Sequence, residues 1–264
     1  MAEPVLVCTP KSLPRNLMIA AARTANDINP VNDPPLHRLA RLVQDFAPTP
    51  ERIAMVTTKY WGAGGVKLTV GFLDNPDKAL RSKIILHMNA WAKTANVSFL
   101  ETDATRDADV RIAREGGQNG GYWSFLGTDI KHIDRDRQTM NLEGFTLGQS
   151  DSEFHRVVRH ETGHTLGFPH EHMRKELVDR IDPDKAIAYF GKTQGWPPDE
   201  VRAQVLTPLE EWSLTATRHA DPKSIMCYQI PGFLTKDGKP ILGGTDIDRS
   251  DYEFAAKVYP KAQG

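Results

Sequence analysis

Apolar and polar residues alternate along one short stretch in the first half of the chain. Its apolar positions recur at every second residue: Val66, Leu68, Val70 and Phe72. A period of two places these side chains on one face, so the stretch is predicted to be a half-buried strand. Shorter strands are predicted at residues 97–101, 109–113 and 140–142.

A helical period follows this strand, after the pair Asn75-Pro76. The apolar residues are then spaced by four and three: Leu80, Ile84, Met88, Trp91 and Ala95. This spacing forms one apolar face, and proline is favoured at the first position of a helix. We therefore predict a helix that buries this face in the core. Further helices are predicted at residues 14–25, 36–46, 151–166, 184–190, 198–206 and 248–259.

The charge balance of the chain excludes some classes of partner. The chain has 33 basic and 34 acidic residues without a basic stripe, so nucleic acid is not an expected partner. No apolar run reaches the roughly 18 residues that span a membrane, and the first residues lack the pattern of a secretory signal. Two cysteines do not make a disulfide framework. These features fit a cytoplasmic protein and equally a secreted one whose signal has been removed. The oligomeric state stays open.

The strongest chemical signal follows from the predicted helix at 151–166. Residues 160–170 read H-E-T-G-H-T-L-G-F-P-H, which matches the zinc signature H-E-x-x-H-x-x-G-x-x-H. His160 and His164 lie about one helical turn apart on one face, so both imidazoles can bind one metal ion. Gly167 is expected to end the helix, and the chain then turns so that His170 returns as the third ligand.

Three protein ligands leave one coordination position open, which is typical of a catalytic zinc site. Zinc lowers the pKa of a bound water to about 7 and polarises the carbonyl group under attack. Glu161 projects roughly 100° round the helix from His160, where it can take a proton from the water and deliver it to the leaving amine. The motif therefore predicts amide hydrolysis, with one catalytic Zn²⁺ as cofactor and Glu161 as general base.

Three further segments are similar to the astacin family of metzincin zinc proteases. After the third histidine, residues 170–174 (H-E-H-M-R) resemble the family's H-E-x-x-R. Residues 224–228 (S-I-M-C-Y) resemble its Met-turn, S-x-M-H-Y, and residues 121–127 (G-Y-W-S-F-L-G) resemble its strand G-x-x-S-Y-V-G. The resemblance implies an α+β, metzincin-type fold with a twisted mixed sheet, a long zinc-binding helix and a helical C-terminal subdomain.

The resemblance also implies roles for individual residues. Met226 would form an apolar floor beneath the zinc, and Tyr228 would be a switch tyrosine that donates a hydrogen bond to the developing oxyanion. Trp123, Ser124 and Phe125 would form an edge strand above the metal, where a substrate peptide pairs as an added strand. Two alternatives stay open: Tyr228 packs with its hydroxyl satisfied, and Trp123 is simply part of the core.

The first fifty residues precede the segment that resembles the family. Pro48 and Pro50 mark a boundary. Residues 1–50 are predicted to form an N-terminal arm or prosegment-like region. Residues 51–264 are predicted to form a catalytic domain, with an upper subdomain at 51–167 and a lower subdomain at 168–264. The arm is expected to shield the cleft. Cys8 is a candidate thiolate ligand of the zinc, with a buried free thiol and a disulfide to Cys227 as alternatives.

The chain also departs from the family. Cys227 stands where the Met-turn usually has histidine, and two cysteines cannot form the family's usual two disulfides. We predict a divergent zinc metalloendopeptidase that acts on peptides or proteins. The alternatives are an amidase acting on cell-wall peptides, and a catalytically weak zinc-containing binding protein whose arm occupies the cleft. The presence of both Glu161 and Tyr228 favours the enzyme.

Overall fold

A mixed five-stranded sheet lies within residues 66–142. The computed structural model describes residues 8, 11–34, 50, 54, 57–117, 120–171, 174–208, 221–227 and 229–262. Its strands are β1 (Val66–Phe72), β2 (Val97–Glu101), β3 (Val110–Ala113), β4 (Tyr122–Ser124) and β5 (Met140–Leu142). Within the described residues they form one sheet in the order β2-β1-β3-β5-β4. All neighbouring pairs are parallel except β4 with β5, so β4 is an antiparallel edge strand.

Helices precede, cover and follow this sheet. They are α1 (Arg15–Ile28), α2 (Lys78–Met88), α3 (residues 151–165), α4 (Lys175–Val178), α5 (Pro183–Gln194), α6 (Pro198–Val201) and α7 (Arg249–Val258). Residues Phe154–Arg159 within α3 and Arg202–Leu206 after α6 are π-helical. Short 3₁₀ segments lie at Pro30–Asn32, Asn89–Lys93, Thr105–Asp107, Gly127–His132 and Gly232–Leu234. Every helix in the described ranges is too short or too polar to cross a membrane.

The periodicity correctly predicts the bounds of β1 and β2, and it misplaces the start of α2. That helix begins at Lys78 rather than at the pair Asn75-Pro76. Asn75 has a φ of 44°, which keeps this segment in a turn, and Asp77 becomes the N-cap residue. The helix predicted at 36–46 lies outside the described residues.

Two apolar clusters fill the interior. The larger lies between the sheet, α2 and α3, and it also includes Tyr259 just after α7. Trp91 is fully buried there and donates a hydrogen bond from Nε1 to the Arg159 carbonyl at 2.9 Å, which fixes α3 against the core. The smaller cluster joins Phe190 of α5 to both cysteines, Cys8 and Cys227.

The described part of the N-terminal arm is packed into the domain. The buried side chain of Asn32 donates to the carbonyls of Ala25 and Tyr60, at 2.8 Å each, and accepts from the Tyr60 amide at 2.9 Å. Oγ1 of Thr24 in α1 lies 3.0 Å from Nε2 of His132. The division into arm, upper and lower subdomains stays a prediction.

A buried ion pair joins the segment before β1 to the 3₁₀ segment Gly127–His132. Lys59 Nζ lies 3.7 Å from Asp129 Oδ1, which is too far for a hydrogen bond, and both residues are at most 9% exposed. Burial raises the pKa of Asp129 to about 6 and lowers the pKa of Lys59. Desolvation thus outweighs the mutual attraction of the two charges.

We expect Lys59→Met to lower the free energy of unfolding by about 3–5 kcal/mol at pH 7, because it leaves a carboxylate buried without its countercharge. The difference in the free energy of unfolding between the variant and the wild type should become smaller towards pH 5. The pKa of Asp129 in the folded protein lies above its unfolded value, so protonation on lowering the pH favours the folded state. The double variant Lys59→Met/Asp129→Leu should unfold at a urea concentration close to that of the wild type. A double variant as unstable as the single one would contradict this interpretation.

Candidate metal centre and substrate cleft

Helix α3 carries the first two histidines of the signature, and Ser150 caps its N-terminus. Ser150 Oγ accepts a hydrogen bond from the Glu153 amide at 3.3 Å. The Glu153 carboxylate binds the Arg156 guanidinium at 2.6 and 3.0 Å. The π-helical residues Phe154–Arg159 end where His160 begins, and π segments occur frequently at functional sites.

The end of α3 turns the chain towards the third histidine. Gly167 has a φ of 91°, a conformation that favours glycine, and the Phe168 amide donates to the Gly163 carbonyl at 2.9 Å. The Phe168 carbonyl in turn accepts from Nδ1 of His164 at 2.8 Å. The predicted helix stop at Gly167 is therefore found in the structure, and it also supplies an acceptor for a candidate ligand.

The three imidazoles of the signature converge on one point. Nε2 of His170 lies 3.1 Å from Nε2 of His160 and 2.9 Å from Nε2 of His164. Nδ1 of His160 is 2.6 Å from the Ile225 carbonyl, so His160 and His164 each direct Nδ1 to a backbone carbonyl. Those contacts place the ring proton on Nδ1 and leave the Nε2 lone pairs directed at one another.

This donor set fits a divalent metal ion. Burial lowers the pKa of His160 to about 4, so its ring is neutral at pH 7, as a ligand must be. Converging lone pairs on buried neutral rings repel each other unless a cation lies between them. The second contacts of His160 and His164 to backbone carbonyls are those that orient zinc-binding histidines. The Sγ atom of Cys8 joins the group, since all four ligand atoms lie within 4.8 Å of one another.

Glu161 lies beside this group and is 1% exposed. Burial raises the pKa of its carboxyl group to about 8, partly offset by a hydrogen bond from the Cys8 thiol to Oε2 at 3.3 Å. A neighbouring cation favours the ionised carboxylate and would act in the opposite direction to burial. Cys8 and Cys227 are both buried and are not joined by a disulfide, which was one alternative.

The Met-turn lies directly beneath the histidines. The side chain of Met226 is buried, and a Cβ added to Gly163 would collide with its Sδ atom. The absence of a side chain at Gly163 therefore allows α3 to approach Met226 closely. Tyr228 lies outside the described residues, so its role as a switch tyrosine stays a prediction.

The edge strand predicted to bind substrate is present as β4, but two of its three side chains are buried. Trp123 is 3% exposed and Ser124 is 2% exposed, and Ser124 Oγ is 3.0 Å from Thr165 Oγ1. Phe125 follows the strand and pairs in parallel with Lys11 of the arm. Lys11 Nζ also lies 5.0 Å from the centre of the Trp123 ring. Because the Trp123 and Ser124 side chains are buried, a peptide could pair with this edge only through backbone groups, and Lys11 already pairs with Phe125 there.

A family model described as Astacin, a family of peptidases, matches residues 55–191, which is just over half of the chain. The chain belongs to the astacin family. This confirms the resemblance drawn from the sequence and the predicted class of zinc metallopeptidase. The α+β fold is confirmed by a solved structure of myroilysin, which has a TM-score of 0.71 and 30% sequence identity and matches 78% of this chain and 97% of that one.

Other known proteins match the chain at lower sequence identity. A hatching enzyme zinc-protease from Oryzias latipes has 17% identity and a TM-score of 0.51 over 76% of this chain and 94% of its own, which supports the fold alone. Metalloendoproteinase 1 of Glycine max is 29% identical over 47% of this chain and 46% of its own length. Stromelysin-2 of Rattus norvegicus is 25% identical over 40% of this chain and 24% of its own length. The chain spans less than half the length of these two curated relatives.

Sequence reasoning missed two residues of this astacin site. Gly163 occupies a free position of the zinc signature, so the motif gives no sign of its contact with Met226. Asp251 accepts hydrogen bonds from the Met-turn at Ser224 Oγ and the Ile225 amide, at 2.6 and 2.9 Å. Asp251 falls within the helix predicted at 248–259, but that prediction does not reveal its contacts with residues 224 and 225.

Proposed function

We propose that this astacin is a zinc-dependent endopeptidase whose N-terminal arm keeps it latent. The convergence of three buried imidazoles beside a buried glutamate carries the proposal. His160, His164 and His170 would hold the ion. This arrangement corresponds to a catalytic zinc site, in which three protein ligands leave a fourth position for exchange.

In the proposed reaction the chain's own groups move one proton and orient the peptide. A bound zinc ion supplies an acidified water and polarises the scissile carbonyl. Glu161 takes the proton of the attacking water and delivers it to the nitrogen of the leaving amine. Tyr228 is proposed to donate a hydrogen bond to the oxygen that becomes negatively charged. The backbone of β4 and Phe125 would align the substrate as an added strand.

The latent state is proposed because residues of the arm lie both at the candidate metal site and at the strand edge proposed to bind substrate. Cys8 Sγ lies among the ligand atoms and 3.3 Å from Glu161 Oε2. As a thiolate it would take the coordination position, and its proton would pass to Glu161, the proton acceptor that the reaction needs. Lys11 pairs with Phe125 at the edge where a substrate would pair. A substrate could therefore bind only after these arm residues had moved or been cut away.

The same contacts also favour the second candidate, a zinc-containing binding protein whose cleft is occupied by its own arm. The two candidates respond differently to removal of the arm. An enzyme gains activity when the Cys8 and Lys11 contacts are lost, whereas a binding protein does not.

The proposed function is tested by digestion of a peptide library, read by mass spectrometry. The full chain and a variant in which Cys8 is replaced by serine are each incubated with the library, with and without a zinc chelator. We expect cleavage of internal peptide bonds that increases in the variant and disappears with chelator. Chelator-insensitive cleavage, or no cleavage in either protein once zinc binding has been verified, would refute the proposal.

A further inference from the structure

Asp251 connects the C-terminal helix to the Met-turn. It lies in the first turn of α7, is 7% exposed and accepts three hydrogen bonds through its carboxylate. The donors are Ser224 Oγ at 2.6 Å, the Ile225 amide at 2.9 Å and the Asp248 amide at 3.0 Å. The bonds from Ser224 and Ile225 hold the Met-turn, while the bond from Asp248 belongs to the capping box of the helix.

The Met-turn in turn contacts the histidines. The Ile225 carbonyl accepts from Nδ1 of His160 at 2.6 Å. The Met226 carbonyl accepts from the amide of Glu171, the residue after His170, at 2.9 Å. Residue 225 is therefore held at its amide by Asp251 and bound at its carbonyl by a candidate zinc ligand.

We propose that Asp251 is a positioning residue of the zinc centre, which fixes residue 225 and thereby sets the orientation and the tautomer of His160. The inference rests on the proposed function, because it requires zinc at the three histidines. Groups that bind the second nitrogen of a zinc-binding histidine change metal affinity when they are altered. Here that group is a backbone carbonyl, so a side chain can influence it only by holding the backbone.

The capping box provides a matched control. Asp248 and Asp251 each accept a hydrogen bond from the amide of the other, at 2.8 and 3.0 Å. Asp251→Asn and Asp248→Asn therefore weaken the same helix terminus, but only the first also alters the contacts to Ser224 and Ile225. A purely structural role of Asp251 would give the two variants the same phenotype.

The test is the zinc dissociation constant of the folded full chain, measured by competition with a chelator under reducing conditions. We expect Asp251→Asn to weaken zinc binding about 10- to 100-fold. Asp248→Asn should stay within about threefold of the wild type, because its hydrogen bonds do not reach the Met-turn. The visible absorption bands of the cobalt-substituted protein should shift in Asp251→Asn alone, since they report ligand geometry.

A third variant covers the case in which Asp251→Asn does not fold. Ser224→Ala removes one donor to Asp251 without changing the capping box, and it should weaken zinc binding in the same direction by a smaller factor. Equal zinc affinities and cobalt spectra in Asp251→Asn and Asp248→Asn, or wild-type values in Ser224→Ala when Asp251→Asn is unfolded, would overturn the inference alone. A wild-type chain that does not bind zinc would overturn the proposed function as well.

Discussion

Replacing Glu161 by glutamine is expected to lower kcat for peptide cleavage by about 10²- to 10⁴-fold, the usual contribution of a positioned general base. Glutamine keeps the shape of the buried side chain but cannot accept the proton of the attacking water. Because Glu161 is not among the proposed ligands, zinc content should be unchanged. Both quantities are measured in the Cys8→Ser background, in which the proposed latency is relieved.

The exposed Glu253 of α7 provides the control for this experiment. It pairs with Arg249 on the surface, so Glu253→Gln should leave kcat and zinc content close to those of the parent protein. Turnover by Glu161→Gln that equals turnover by Glu253→Gln would show that another group accepts the proton. Loss of zinc from Glu161→Gln would instead place this glutamate in the metal site itself.

Replacing Cys8 by serine is expected to raise the peptidase activity of the intact chain at least about tenfold. Serine lacks the soft sulfur ligand that zinc binds well, and a loss of only about 1.4 kcal/mol in arm binding shifts the open population tenfold. The quantity measured is the initial rate of cleavage of a quenched fluorescent peptide before any cut in the arm can be detected on a gel.

Ser12 lies in the same arm and is exposed, so Ser12→Ala is a matched control that should not change the rate. An equal rate for wild type and Cys8→Ser would show that the thiol does not hold the enzyme latent. The arm could then block the cleft only through other contacts, such as the pairing of Lys11 with Phe125.

The sequence predicts those parts of the fold and site that depend on local spacing. The alternation of apolar and polar residues over 66–72 predicts β1, because every second side chain of a strand packs against the same core. The signature at 160–170 gives two ligands and Glu161 because helical geometry alone relates them, and Gly167 ends the helix for a local conformational reason. The third ligand follows from the same short segment.

Features that depend on distant contacts could not be predicted in this way. The Cys8 thiol donates a hydrogen bond to Glu161, which is 153 positions away in the sequence. The Trp91 indole donates to the carbonyl of Arg159, which is 68 positions away and is the last residue of a π-helical segment that the sequence did not predict. Asp251 binds Ser224 from 27 positions away. None of these pairs leaves a periodic pattern in the sequence, because each arises from packing between separate elements.

The central claim, that His160, His164 and His170 hold one catalytic zinc ion, is tested most directly by the zinc content of the purified, folded chain. Elemental analysis after dialysis should find about one zinc ion per chain in the Cys8→Ser protein and almost none when His164→Ala is added to it, because two imidazoles hold zinc poorly without the third. A folded Cys8→Ser chain without zinc, or a Cys8→Ser/His164→Ala chain that retains a full equivalent, would contradict the account.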